Sequence, residues 1–108
     1  MTFASVNVFT VHPGQMDACV AFQRDAFLPL LRQQPGFLGL EVVQTGPDTG
    51  VGTLWWASEE ARVAATPALT AWVEGHLAPF FVALDNPAGP VVLSWPSSDH
   101  MLTGDQRS

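Results

Sequence analysis

The chain has 108 residues, with ten acidic side chains against four basic ones and a formal charge of −6. The four are arginines (Arg24, Arg32, Arg62 and Arg107) scattered along the chain, so the clustered cations that bind nucleic acid or anionic membranes are missing and neither partner is expected. Cys19 is the single cysteine and can close no internal disulfide. Residues 1–12 lack the features of a signal peptide, and a cytoplasmic location is expected.

Phe3 to Val11 alternates apolar residues on both faces and predicts a first strand, with Phe3, Ser5, Asn7, Phe9 and Val11 on one side and Ala4, Val6, Val8 and Thr10 on the other. His12-Pro13-Gly14 ends it. From about Gln15 to Gln33 the period becomes helical: Met16, Cys19, Val20, Phe27, Leu30 and Leu31 form one stripe. Pro29 removes the hydrogen bond to the carbonyl of Asp25 and predicts a kink. Phe37–Val43 and Val51–Trp56 read as two strands joined by a turn over Thr45–Gly50.

Ser58 has the chemistry of a helix cap, with Glu59 and Glu60 in the first turn, where the helix dipole favours negative charge. A short helix to about Ala65 is expected, then a new one capped by Thr66 with Pro67 at its first position. Leu69, Trp72, Val73, His76, Leu77 and Phe80 recur on one stripe of that second helix. Asp85–Pro90 reads as a loop and Val91–Trp95 as the last strand. Residues 1–96 are expected to form one domain and 97–108 a polar tail.

The order β-α-β-β-α-β is that of an α+β, ferredoxin-like fold: a four-stranded antiparallel sheet with helices on one face. Helices cover only one side of such a sheet, yet the strands are apolar on both. A second copy laid sheet against sheet is the natural cover, so a homodimer is expected.

VNVFTVHPGQ, PGFLGLEVV and LWWASEEA, in that order and spacing, resemble the antibiotic biosynthesis monooxygenase superfamily of dimeric α+β barrels. The resemblance covers roughly residues 3–95. It implies a cofactor-free oxygenase acting on a small electron-rich aromatic such as a hydroquinone or anthrone, a haem-degrading enzyme, or a non-catalytic dimeric module on the same fold. In the quinone-forming members a Trp ends the third strand, and Trp56 matches it. An Asn four residues earlier is Gly52 here, and the helical Arg has no counterpart in the second helix. In the haem-degrading members Asn7 matches a strand Asn, Ala65 stands where a Trp is required, and His76 lies close to the His position.

Asn7 is the only amide in an apolar strand and is a candidate donor to a substrate oxyanion. His76 faces the core on the predicted stripe and suits a general base near neutral pH. With Trp56 these form the candidate catalytic set; Trp72, Phe9 and Phe80 are the candidate walls of an aromatic pocket. Asn7 and His76 are expected to share one cavity between the sheet and the last helix. Cys19 lies on the buried stripe as a core thiol. His12 and His100 have no ligand spacing around them, so no metal is expected; the chain also lacks a G-x-G-x-x-G fingerprint and a P-loop, and no cofactor is expected.

Overall fold

The computed structural model describes residues 2–95, so the expected tail lies outside the described residues. The strand β1 (Phe3–Val11) runs through the middle of the sheet and pairs antiparallel with β3 (Thr49–Trp56), from Phe3 opposite Trp56 to Thr10 opposite Thr49. β2 (Phe37–Gln44) lies on the far side of β3, joined to it by a turn in which Thr45 and Gly46 N–H both donate to the Thr49 carbonyl. On the other side of β1 lies β4 (Phe81–Asp85), giving the order β2-β3-β1-β4 of the ferredoxin-like arrangement.

The last strand differs from the sequence expectation. β4 and β5 (Ala88–Pro90) follow one another along the same edge of β1, β4 beside Val8–Val11 and β5 beside Phe3–Ser5. Between them the Pro87 carbonyl accepts from Val6 N–H at 2.8 Å. Most of the stretch read as a loop is therefore paired along the sheet edge. Pro87, Gly89 and Pro90 look like turn residues, but an edge strand tolerates missing donors. Val91–Trp95 forms no strand, and Val92, Leu93 and Trp95 are exposed.

The helices also depart from the expected punctuation. α1 (Met16–Phe22) passes through one π-helical turn (Gln23–Phe27) into α2 (Leu28–Arg32), with Leu28 N–H reaching back to the Gln23 carbonyl. That wide turn is how the helix meets Pro29, where a kink was expected. α3 (Glu59–Trp72) is one continuous helix, so Thr66 is not a cap. Pro67 sits inside it on the exposed face and withholds a donor only from the carbonyl of Val63, which is exposed as well. Thr66 donates its hydroxyl to the Arg62 carbonyl at 2.8 Å. The predicted cap at Ser58 is present, its Oγ accepting from Ala61 N–H at 3.1 Å. A second π-turn (Val73–Leu77) and a 3₁₀ turn (Ala78–Phe80) close the helix at Pro79.

All the buried apolar side chains lie on one side of the sheet: Phe3, Phe9 and Val11 of β1 and Leu54 and Trp56 of β3 meet Cys19, Phe27 and Leu31 from the first helical stretch and Ala65 and Leu77 from the second. The opposite face carries Val8 at 47% and Val43 at 51% exposure. Among the described residues no helix is long and apolar enough to cross a membrane.

Candidate functional site

A cavity of about 240 Å³ lies between the covered face of the sheet and α3. Strand periodicity builds its floor. Ser5, Asn7 and Phe9 are alternate residues of β1 and project to the same side, as do Gly52, Leu54 and Trp56 of β3. Asn7 stands directly opposite Gly52 in the ladder. Gly52 has no side chain to fill the space, and a Cβ built there would meet nothing nearer than 3.7 Å. At Gly50 the reverse holds: a Cβ would fall 2.6 Å from the Phe9 ring, so this glycine lets the ring lie flat on the floor.

α3 forms the roof. Arg62, Thr66, Leu69, Thr70 and Val73 line the cavity at intervals of three and four, with Leu77 closing the row. Gln23 and Phe27, the two ends of the first π-turn, come in from the other helix. Phe81, Leu84 and Asn86 complete the lining. Both π-turns contribute to the walls, in keeping with the frequent occurrence of such turns at functional sites.

Of the polar groups on the lining some are held and others are left open. Trp56 is fully buried, its Nε1–H donating to the Ser5 Oγ at 3.4 Å and its ring edge-on to Phe37 at 5.5 Å. Gln23 is only 7% exposed; one N–H of its amide donates to the Cys19 sulfur at 3.4 Å, and its carbonyl oxygen has no hydrogen-bond partner among the described residues. The Asn7 amide likewise has none among the described residues. Burial pushes the Cys19 thiol pKa up, a shift opposed in part by the Gln23 contact, so the buried sulfur stays protonated. This agrees with a core thiol rather than a nucleophile.

Asn7, Phe9 and Trp56 of the predicted site residues line the cavity; Trp72, Phe80 and His76 do not. His76 is exposed, with Nδ1 3.1 Å from the Trp72 carbonyl and its ring stacked on the Trp72 indole at 5.1 Å. The expectation that Asn7 and His76 share a cavity is therefore corrected. The inward line of this helix is Ala65, Leu69, Val73 and Leu77, and His76 sits one residue, about 100°, round from it. Trp72 stacks on Phe27 at 5.2 Å and on Phe22 at 5.6 Å, and Phe22 also meets Phe80. These rings tie the two helical stretches together behind the cavity wall.

Sequence reasoning missed Gln23, Ser5 and Arg62. Gln23 lies four residues from both Cys19 and Phe27, an amide on an apolar stripe, and that was its signal. Ser5 shares a strand face with Asn7. A break at Thr66 would leave the second helix without an arginine; since α3 is continuous, the helix over the site carries Arg62. Among the described residues no group of His, Cys, Asp and Glu is arranged to hold a metal ion.

A family model described as antibiotic biosynthesis monooxygenase matches residues 2–75. No curated protein matches the chain. Among solved structures, the chain is similar to SnoaB, a cofactor-independent oxygenase from Streptomyces nogalater: 20% identity over 89% of this chain and 98% of that one, TM-score 0.66. It is also similar to a monooxygenase from the gene ActVA-Orf6 of Streptomyces coelicolor, solved in complex with the ligand nanaomycin D, at 23% identity over 88% and 92% of the two chains, TM-score 0.69. NE2512, a protein of unknown function from Nitrosomonas europaea, matches at 21% identity over 86% and 91%, TM-score 0.73. At these identities the likeness speaks for the fold.

Proposed function

We propose that this chain, which belongs to the antibiotic biosynthesis monooxygenase family, is a small cofactor-independent monooxygenase that oxidises an electron-rich aromatic of the hydroquinone or anthrone type. The observation that carries this reading is the Asn7 amide. It is half-buried, lines the cavity among Phe9, Leu54 and Trp56, and makes no hydrogen bond to any described residue, so its amide is open to a ligand there. A substrate oxygen accepts from that amide, and an oxyanion accepts more strongly.

In this reading an anthrone-like substrate loses a proton and its ring oxygen takes the negative charge under Asn7. The resulting carbanion gives one electron to molecular oxygen; recombination and protonation yield a hydroperoxide, which loses water to leave the new carbonyl. One oxygen atom enters the product and the other leaves as water. Phe9, Phe27 and Trp56 hold the ring and keep bulk water away. Since His76 does not line the cavity, the proton passes to water or to Glu74, the one carboxylate on the lining among the described residues. Oxygen uptake with a panel of hydroquinones and anthrones, with quinone formation followed by absorbance, tests the assignment. No uptake above the uncatalysed rate with any of them overturns it.

The haem-degrading alternative has less support. His76 is on the solvent side of its helix, and small Ala65 is packed in the core where those enzymes need a Trp. The homodimer is proposed together with the oxygenase reading, because the bare sheet face carries Val6, Val8, Val43, Val51 and Trp55 against two carboxylates among the described residues, Glu41 and Asp85.

A further inference from the structure

The geometry points to Arg62 as the residue that selects the substrate class: an aromatic acid, bound with its carboxylate on the guanidinium and its reacting ring over Asn7. This rests on the oxygenase reading for the identity of the ring but not for the anion.

Arg62 is half-buried and lines the cavity, and it is the one cation there among the described residues. Arg24 is spent on an exposed ion pair with Asp25 at 2.9 Å, and Arg32 is exposed elsewhere. Arg62 has no ion pair and no side-chain hydrogen bond among the described residues. In a chain with ten acidic residues and a net charge of −6, carboxylates to neutralise it are abundant, yet none of those described does so. Its guanidinium is therefore open to a ligand anion, and its planar fork matches a carboxylate bidentately.

The cavity also has a direction. α3 is capped by Ser58, two residues after Trp56, which lies opposite Phe3 in the ladder; the turns after its far end lead into β4, where Phe81 lies opposite Val11. Arg62 therefore marks the Ser5 and Trp56 end. Glu74, twelve residues or about 18 Å further along the helix, marks the Phe9 and Phe81 end. An anion is attracted at one end and repelled at the other, with Asn7 between them. A ligand with a single carboxylate has one favoured orientation.

The test uses two redox-inert probes, 3-hydroxy-2-naphthoate and its uncharged carboxamide, titrated calorimetrically into the whole protein. The wild type should prefer the carboxylate by about tenfold or more, as a charge-assisted pair predicts. Added salt should weaken the carboxylate and leave the amide unchanged. Arg62→Gln should abolish the preference while leaving amide affinity and thermal stability in place, and Arg62→Lys should restore part of it. Equal affinities in the wild type, a preference that survives in Arg62→Gln, or no binding of either probe overturns the inference. No oxygen or turnover enters these measurements, so they separate from the activity assay. Anion selection without oxygen uptake would defeat only the oxygenase reading, and uptake with neutral substrates without anion selection would defeat only this one.

Discussion

Gly36 presses its Cα against the methyl group of Ala61: a Cβ at position 36 would lie 2.5 Å from that methyl carbon. Gly36 also has φ of +83°, and its carbonyl accepts from Ala57 N–H at 2.8 Å. The junction entering β2 and the junction entering α3 are thus one packed unit. Gly36→Ala should destabilise the protein by about 2–4 kcal/mol, combining the left-handed conformation with the overlap. Urea unfolding measures this, and in a double-mutant cycle Ala61→Gly should recover the steric part alone. A Gly36→Ala protein as stable as wild type would contradict the geometry.

Gly52 offers the opposite case. Its Cβ position is unobstructed and faces the cavity, so Gly52→Val should fold with a melting temperature close to wild type while losing ligand binding and turnover. Gly50→Val, aimed at the Phe9 ring 2.6 Å away, should instead be destabilised outright. Retained binding in a folded Gly52→Val protein would place the ligand elsewhere.

Asn7→Ala should lower turnover by about 10²-fold, the scale for removing one oxyanion donor. His76→Ala should leave it within about twofold of wild type, as expected of a side chain making no contact with substrate. Steady-state oxygen consumption by both variants decides this. A large loss in His76→Ala would restore the histidine to the mechanism.

The exposed sheet face, with Val8 and Val43 about half accessible, should be closed by a second copy burying at least about 1,600 Å². Sedimentation at micromolar concentration should give twice the chain mass. Val8→Asp should yield a monomer or an unfolded chain, since it leaves a charge inside that interface. A stable monomeric wild type would refute the dimer.

Cys19 should resist thiol reagents in the native state and react quickly once the chain unfolds. Its raised pKa leaves less thiolate at a given pH than a free cysteine has. The linked effect on stability has the same sign. The neutral buried thiol favours the fold throughout the range below the free-thiol pKa, and this contribution is lost as pH climbs toward the raised native value. Rapid labelling of the native protein at mildly alkaline pH would contradict that burial.

Local pattern was enough for whatever depends on neighbours in the chain. The alternation of β1, the turn between β2 and β3, the Ser58 cap and the bare second face of the sheet were all legible, because strand period, turn chemistry and capping act over a few residues. The family-marking junctions at Gly36 and Ala61 were legible as well, although not that they touch. Tertiary structure decided where backbone punctuation lost to packing. Pro67 stayed inside a helix because its missing donor falls on a solvent-facing side, and Ala88 to Pro90 became an edge strand because β1 offered partners. It also decided the site. Asn7 and Trp56 entered the cavity from strands whose facing the sequence already specified. His76 left it because a stripe identifies the buried side of a helix only to within about one residue, and one residue is about 100° of rotation. Gln23 and Arg62 acquired meaning only when two helices, one widened before Pro29 and one unbroken through Pro67, came down over the same strand.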